Sequence, residues 1–557
     1  MALFDLGRFR DLAFGREPLP DHPMADEAEA RKLLALLPED DPDTALADLT
    51  HWAATMNATE TFSPARRAQV LMELDTAARP LWRAQSARYL RPGGRLSEGR
   101  DGDPGLLRAL NDCAAEIANG YAIALDAAAE DSAWMKKNRP LVAQRNLRWL
   151  NRRLAIAHML QLSATAAIWE RLHRLHGIAE EGKYARSALP VPGNESRTSS
   201  VRAEYAHALL LELAAPDGLR GREVELAFRI AQRVAPAVQL EAARTPEATF
   251  AVVPMGDERP VQVRRLGGGA MPGLLYINTA NTLPRLRAAL ERDRDRDPGE
   301  EDTQFGREYT LRERDAILNR LLEHWGPNPP QRRLKRVAMA TPVRLMAGFE
   351  AVLGVVPPLE KGPVPDAGAS RRELQLKLDA TSKSIQRAQV KAARQSPARL
   401  VDASAGGLGI AVRRADAPWA SLGALVAVLI EPGTDWILAV LRRVYSVEDE
   451  LRLGLQLVAA KPRLITLKAD PHAGSSNAWE EATMYEDSFK EHFRPAILLE
   501  PQPTPLAAAD LLLAPKTATR GSQFDLQLAR GTQRLRVTRL HADSEHFQRA
   551  AFEPLSK

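Results

Sequence analysis

Cysteine is nearly absent: the 557-residue chain carries only Cys113, so no disulfide can form within it. Cys113 lies in an alanine- and leucine-rich helical pattern with no exposed basic setting, and it reads as a small buried hydrophobe instead of a nucleophile. Aromatic residues make up only 5%, which leaves few platforms for stacking single-stranded bases. Charge of one sign is also scarce. The net charge of +5 and the pI near 9.2 are a small excess on so long a chain, and nucleic acid is disfavoured as the main partner. No apolar run approaches the roughly 18 residues that a membrane-spanning helix needs. The first twenty residues have neither a continuous apolar stretch nor a small-residue cleavage site, so no secretory signal is read and the chain is expected to be cytoplasmic.

Signatures of catalysis are missing too. No glycine precedes a Lys-Ser/Thr pair at phosphate-loop spacing, and no Gly-x-Ser-x-Gly elbow occurs. Gly267-x-Gly269 has Pro272 where a dinucleotide fingerprint has its third glycine. His173 and His176 share a helical face with Glu170, but the RLHRLH segment reads as a solvated basic face, not a metal site. No enzyme, metal or cofactor is expected.

What is present is a long helical pattern followed by strands. The length suits roughly three or four domains. After an N-terminal segment, residues 1–25, an all-α region is expected over 26–243. Ser63-Pro64 is a helix start, Leu106–Ala129 and Leu141–Leu175 are long apolar-periodic stretches, and Val201–Ala215 and Arg222–Ala235 are shorter ones. A small α/β segment follows at 244–325, with strands at Phe250–Pro254, Pro260–Leu266 and Leu274–Asn278 and helices at Leu283–Glu291 and Leu311–Trp325. Gly326–Pro330, GPNPP, is a clear boundary because consecutive prolines cannot continue a helix.

Beyond it the short, closely spaced strands indicate an antiparallel β-barrel over 331–470, with an insertion at about 358–395, and a second C-terminal β module over 471–557. Val343–Val356 reads as one strand or two with a bend at Gly348, and Arg463–Lys468 as the last strand of the first barrel. The expected class is multidomain α+β.

Two short signatures mark the start of that barrel. Arg332-Arg333-Leu334-Lys335-Arg336 is an RxxxR arrangement, and Asp402-Ala403-Ser404-Ala405-Gly406-Gly407 fits (D/N)xSxxG. A guanidinium can fork onto a phosphate and lay its flat face on a purine. A carboxylate can accept from guanine N–H groups, a serine can serve a phosphate or a base edge, and glycines leave backbone bare for bulky rings. Together the signatures resemble the PilZ domain family, whose members bind the bacterial second messenger cyclic di-GMP.

The resemblance covers about 332–470. It implies ligand roles for Arg332, Arg336, Asp402, Ser404 and Gly407, with Arg333 as an alternate arginine. It implies the RxxxR in the loop before the first strand and the DxSxxG on the strands beside it. The spacing between the two signatures is longer than is usual in that family. Arg387 and Lys391 form a second basic pair nearer Asp402. GGDEF and EAL signatures of enzymes that make or degrade the messenger are absent, which favours a receptor. The function expected is therefore a cyclic-di-GMP-binding effector that couples ligand binding to a change in domain packing, or to a partner protein bound through the helical region. The alternative is a PilZ-like interaction adaptor that binds no nucleotide.

Overall fold

A computed structural model describes residues 19–90, 103–127, 132–162, 165–266, 273–294, 305–306, 308–331, 335–359, 395–469, 493–499, 510–528 and 531–555. The chain divides into two compact units, residues 1–331 and 332–557. The class is mixed α+β, with helices first and two closed antiparallel barrels after them.

The first unit begins with α1 (Glu27–Leu34), α2 (Pro42–Ala58), α3 (Pro64–Leu90), α4 (Pro104–Asp126), α5 (Ala133–Met159) and α6 (Ala166–Glu181). Several starts follow one recipe. A proline at the first helical position lacks an N–H that would have gone unsatisfied anyway, and the residue before it caps the end. Asp41 accepts from the Thr44 backbone N–H at 3.1 Å, and Asp103 from that of Gly105 at 2.7 Å. The apolar-periodic stretch Leu141–Leu175 is shared by two helices, α5 and α6. Gln161 stands between them with φ of 58°, a turn to which apolar periodicity is blind.

A buried carboxylate ties these helices together. Asp75 on α3 is fully buried and meets Arg79 at 2.7 Å, Arg145 at 3.0 Å, the Trp149 indole N–H at 3.0 Å and the Tyr121 hydroxyl at 3.2 Å. Two cations and two neutral donors, from α3, α4 and α5, thus compensate its desolvation. Cys113 is buried as expected, and burial pushes its thiol up to about 12, far from a nucleophile's range.

A hairpin, β1 (Leu189–Val191) and β2 (Asn194–Ser199), leads to α7 (Val201–Leu213) and α8 (Gly221–Val234). Next come β3 (Gln239–Glu241), β4 (Phe250–Val252), β5 (Val261–Gln262) and β6 (Leu275–Asn278), an antiparallel sheet in the order β3-β6-β4-β5. Helices α9 (Leu283–Arg294) and α10 (Leu311–His324) complete the unit. Phe250, Ile277, Leu286 and Trp325 belong to the same apolar cluster as the α2–α8 side chains. The α/β segment therefore packs into the helical core, and adds a small apolar cluster of its own around Ala251, Val263 and Leu274.

RLHRLH is not a solvated face. His173 and His176 are buried, with His176 stacked on Tyr205 at a ring distance of 4.2 Å. One His173 nitrogen meets the Tyr205 hydroxyl at 2.8 Å and the other the Glu258 carbonyl at 2.7 Å. The β4–β5 loop supplies that acceptor from a distant stretch of sequence, so the helix alone could not reveal the burial.

In the second unit, β7 (Val337–Ala347) is followed by a short helix, α11 (Phe349–Leu353), and then β8 (Ser396–Ser404), β9 (Gly407–Arg413), β10 (Leu425–Ile430), β11 (Trp436–Val447) and β12 (Glu450–Ala459). Strand pattern therefore ends at Ala347. Gly348 adopts φ of 93°, a conformation open to glycine, and turns the chain into α11. These six strands close in the order β7-β8-β9-β12-β11-β10.

Strands β13 (Pro462–Ala469), β14 (Phe493–Leu499), β15 (Asp510–Leu513), β16 (Gln523–Leu528), β17 (Gly531–Asp543) and β18 (Gln548–Pro554) close a second barrel in the order β13-β14-β15-β18-β17-β16. The stretch Arg463–Lys468, read as the last strand of the first barrel, thus opens the second. Numbered from its own first strand, each barrel runs 1-2-3-6-5-4 and closes between 4 and 1, so one topology occurs twice. Each barrel has its own apolar interior, and a further cluster lies between them. From the first barrel it takes Met346, Leu425, Leu438 and Val440, from α11 Phe349 and Val352, and from the second barrel Ile497, Leu499 and Leu512.

Candidate functional site

Arg336 is the residue immediately before β7, and Asp402 lies near the end of β8. The β7–β8 ladder pairs Ala338 with Asp402, which carries the leader onto the outer surface of the barrel beside the carboxylate. There Arg336 and Asp402 form a hydrogen-bonded ion pair, with side chains about a quarter and a third exposed. Leu400, Leu408, Ile410 and Val412 fill the interior of the same ladder, and a register shift between Leu400 and Asp402 reverses the alternation, so that Asp402 and Ser404 share the outer face of Gly409 and Gly407.

The β8–β9 register sets Asp402 opposite Gly409 and Ser404 opposite Gly407. The Ser404 hydroxyl donates to the Gly407 carbonyl at 3.3 Å, which closes the two-residue turn at Ala405-Gly406. A side chain at Gly409 would begin 2.5 Å from an Asp402 carboxylate oxygen and 3.0 Å from Arg336 Nη1. One at Gly407 would begin 2.6 Å from the Leu455 carbonyl. The ion pair therefore lies directly over bare backbone, and the missing side chains are a condition of its position.

Of the residues singled out from sequence, Arg336, Asp402, Ser404 and Gly407 come together here. Arg332 and Arg333 lie outside the described residues, as do Arg387 and Lys391. Two neighbours were not singled out. Gly454 on β12 is paired with Gly409, and Arg443 on β11 is paired with Gly454. In sequence Gly454 sits in an alternating apolar strand, LRLGLQL, and only the strand order places it beside a glycine some forty residues earlier.

Among the described residues no group of three or more His, Cys, Asp or Glu side chains is placed to hold a metal ion. Likewise no described helix is long and apolar enough to cross a membrane.

Residues 28–246 match the family model described as the N-terminal domain of the cyclic-di-GMP receptor FimW. The match falls on the helical unit, where the sequence carried no recognisable motif, and does not reach the barrel with Arg336 and Asp402. It supports a cyclic-di-GMP receptor on grounds separate from the RxxxR and DxSxxG signatures, and it does not itself extend to the PilZ family. No curated protein matches the chain.

Proposed function

We propose that this chain is a cyclic-di-GMP-binding effector whose site is the outer face of the first barrel, of PilZ type. The observation that carries the reading is the meeting of Arg336 and Asp402 over Gly409, which joins the two signatures across some sixty residues. The similarity of residues 28–246 to a cyclic-di-GMP receptor's N-terminal domain supports the same ligand.

Arg336 is paired with Asp402. A cyclic dinucleotide offers both partners something better: its phosphodiester suits the guanidinium fork, and the guanine Watson–Crick N–H groups suit the carboxylate. Gly407 and Gly409 leave space for the rings, and Ser404 stands at the turn for a phosphate or a base edge. Arg332 and Arg333 supply further guanidinium groups from the same leader.

That leader is also the covalent junction of the two compact units, one ending at residue 331 and the other starting at 332. Fixing it on a ligand restricts the chain where the units join. The output is then a change in domain packing, or in a partner protein bound by the helical unit. Ordering a segment on a ligand is an established way to switch a protein. Coupling of this kind typically amounts to about 1–3 kcal/mol.

Calorimetric titration of cyclic di-GMP into the full chain tests the reading. Micromolar or tighter binding, lost in Arg336→Ala and in Asp402→Ala, is expected. Absence of binding by the wild-type protein would overturn it and leave the helical unit as a protein-interaction module.

A further inference from the structure

We propose that Arg443 is a further ligand-binding arginine, which takes the second phosphate of the cyclic dinucleotide from the far side of the site. The inference rests on the reading above and carries the site two strands further round the barrel.

Asp402 pairs with Gly409, Gly409 with Gly454, and Gly454 with Arg443. Directly paired residues of antiparallel strands share a face, so these four lie in one row on the outer surface. Neighbouring strands are about 4.8 Å apart, and the row therefore spans roughly 14 Å. Its two middle positions have no side chain. The result is a strip of bare backbone with the Arg336–Asp402 pair lying over Gly409 and the Arg443 stem lying over Gly454.

Arg443 lies along this strip. A side chain at Gly454 would begin 3.0 Å from Arg443 Cβ and 3.6 Å from its Cδ, so the arginine stem runs alongside the empty glycine position. Its charge is uncommitted. Arg443 is exposed, and among the described residues it has no hydrogen-bond or ion-pair partner. Its basic neighbours are engaged: Arg442 donates to Gln456 at 2.8 Å, and Arg452 pairs with Glu450 at 3.1 Å. An unneutralised guanidinium beside bare backbone is what the second phosphodiester of a two-fold ligand requires once the first is held by the leader.

The test is titration of cyclic di-GMP into the full-length wild type, Arg443→Ala, Arg443→Lys, Arg442→Ala and Arg336→Ala, with thermal unfolding measured on each. Arg443→Ala is expected to weaken binding about tenfold or more, the loss typical of one charge-assisted contact, without a shift in unfolding. Arg443→Lys should recover part of the loss, because it keeps the charge and gives up the fork, and Arg442→Ala should bind as wild type. Wild-type affinity in Arg443→Ala alongside loss in Arg336→Ala would overturn this inference and spare the proposed function. An equal loss in Arg442→Ala would also overturn it, because it would show only a general field of positive charge. A wild-type chain that binds nothing overturns both.

Discussion

The Asp402 carboxylate occupies the space that a Gly409 side chain would need: a Cβ built there stands 2.5 Å from the carboxylate oxygen. The neighbouring glycine is confined differently, with a Cβ at Gly407 falling 2.6 Å from the Leu455 backbone carbonyl. Side-chain ends can swing aside, whereas a carbonyl held in a ladder cannot. Gly409→Ala is therefore expected to fold normally and to displace the ion pair, weakening cyclic di-GMP binding about tenfold. Gly407→Ala is expected to destabilise the barrel by about 1–3 kcal/mol through overpacking. Chemical denaturation and titration of the two variants separate the effects, and equal stability in both would contradict this account.

Asp75 has the opposite character, since it acts on stability alone. Its carboxylate is fully buried with Arg79, Arg145, Tyr121 and Trp149 around it. Asp75→Ala strands two guanidinium groups in the helical core, and removing one side of a buried pair costs about 3–5 kcal/mol. Asp75→Asn keeps the shape but loses the charge, and should fall between the variant and the wild type. Urea denaturation followed by tryptophan fluorescence reads the order, and an alanine variant as stable as wild type would remove Asp75 from its central place.

The local signals were legible in sequence because their causes are local. The Ser63-Pro64 helix start and the period-two strands each depend on a few adjacent residues. Asp402 and Arg336 were singled out by residue type, and the ladder β7–β8 then set them side by side. What stayed hidden depends on distant partners. Gly454 meets Gly409 only through the strand order, His173 is buried by the Glu258 loop, and α11 follows from the glycine conformation at Gly348. The repeated barrel topology was hidden for the same reason: hydrophobic alternation reports that strands exist and says nothing of which strand pairs with which.

Buried histidines make the helical unit sensitive to acid. Burial pushes His176 down to about 4 from its ordinary 6.5, and the nearby Arg202 and His173 act in the same direction. Glu180, on the exposed side at 3.3 Å, does not offset them. Burial also lowers His173 and His207. A folded-state value below the unfolded one means that the unfolded chain binds the proton first. The stability is present above about pH 6.5 and is lost as pH falls towards 4. At about 1.4 kcal/mol for each unit, His176 alone accounts for a loss on the order of 3 kcal/mol by pH 4. His176→Phe, which keeps a ring on Tyr205, should flatten that part of the slope in denaturation series between pH 7.5 and 4.5. A slope unchanged by the substitution would assign the sensitivity to other groups.

The two barrels share one topology but cannot share one role. In the first barrel the outer face of strands two and three carries Asp402, Ser404, Gly407 and Gly409. The same face of the second carries Ile497 and Leu499 on β14 and Leu512 on β15, packed against the first barrel and α11. Large apolar side chains stand where the first barrel has a carboxylate, a hydroxyl and bare backbone, and that face is covered. Two consequences follow. Asp402→Ala should abolish every phase of cyclic di-GMP binding, leaving no residual site on the second barrel. Phe349→Ala, which empties the middle of the shared cluster, should cost about 3–5 kcal/mol and lower the unfolding midpoint of both barrels together, because neither face is at home in water. Titration of the first variant and hydrogen-exchange protection across β7–β18 in the second are the measurements. Residual binding in Asp402→Ala would make the second barrel a receptor in its own right, and protection lost from one barrel alone would mean that the cluster between them does not couple their folding.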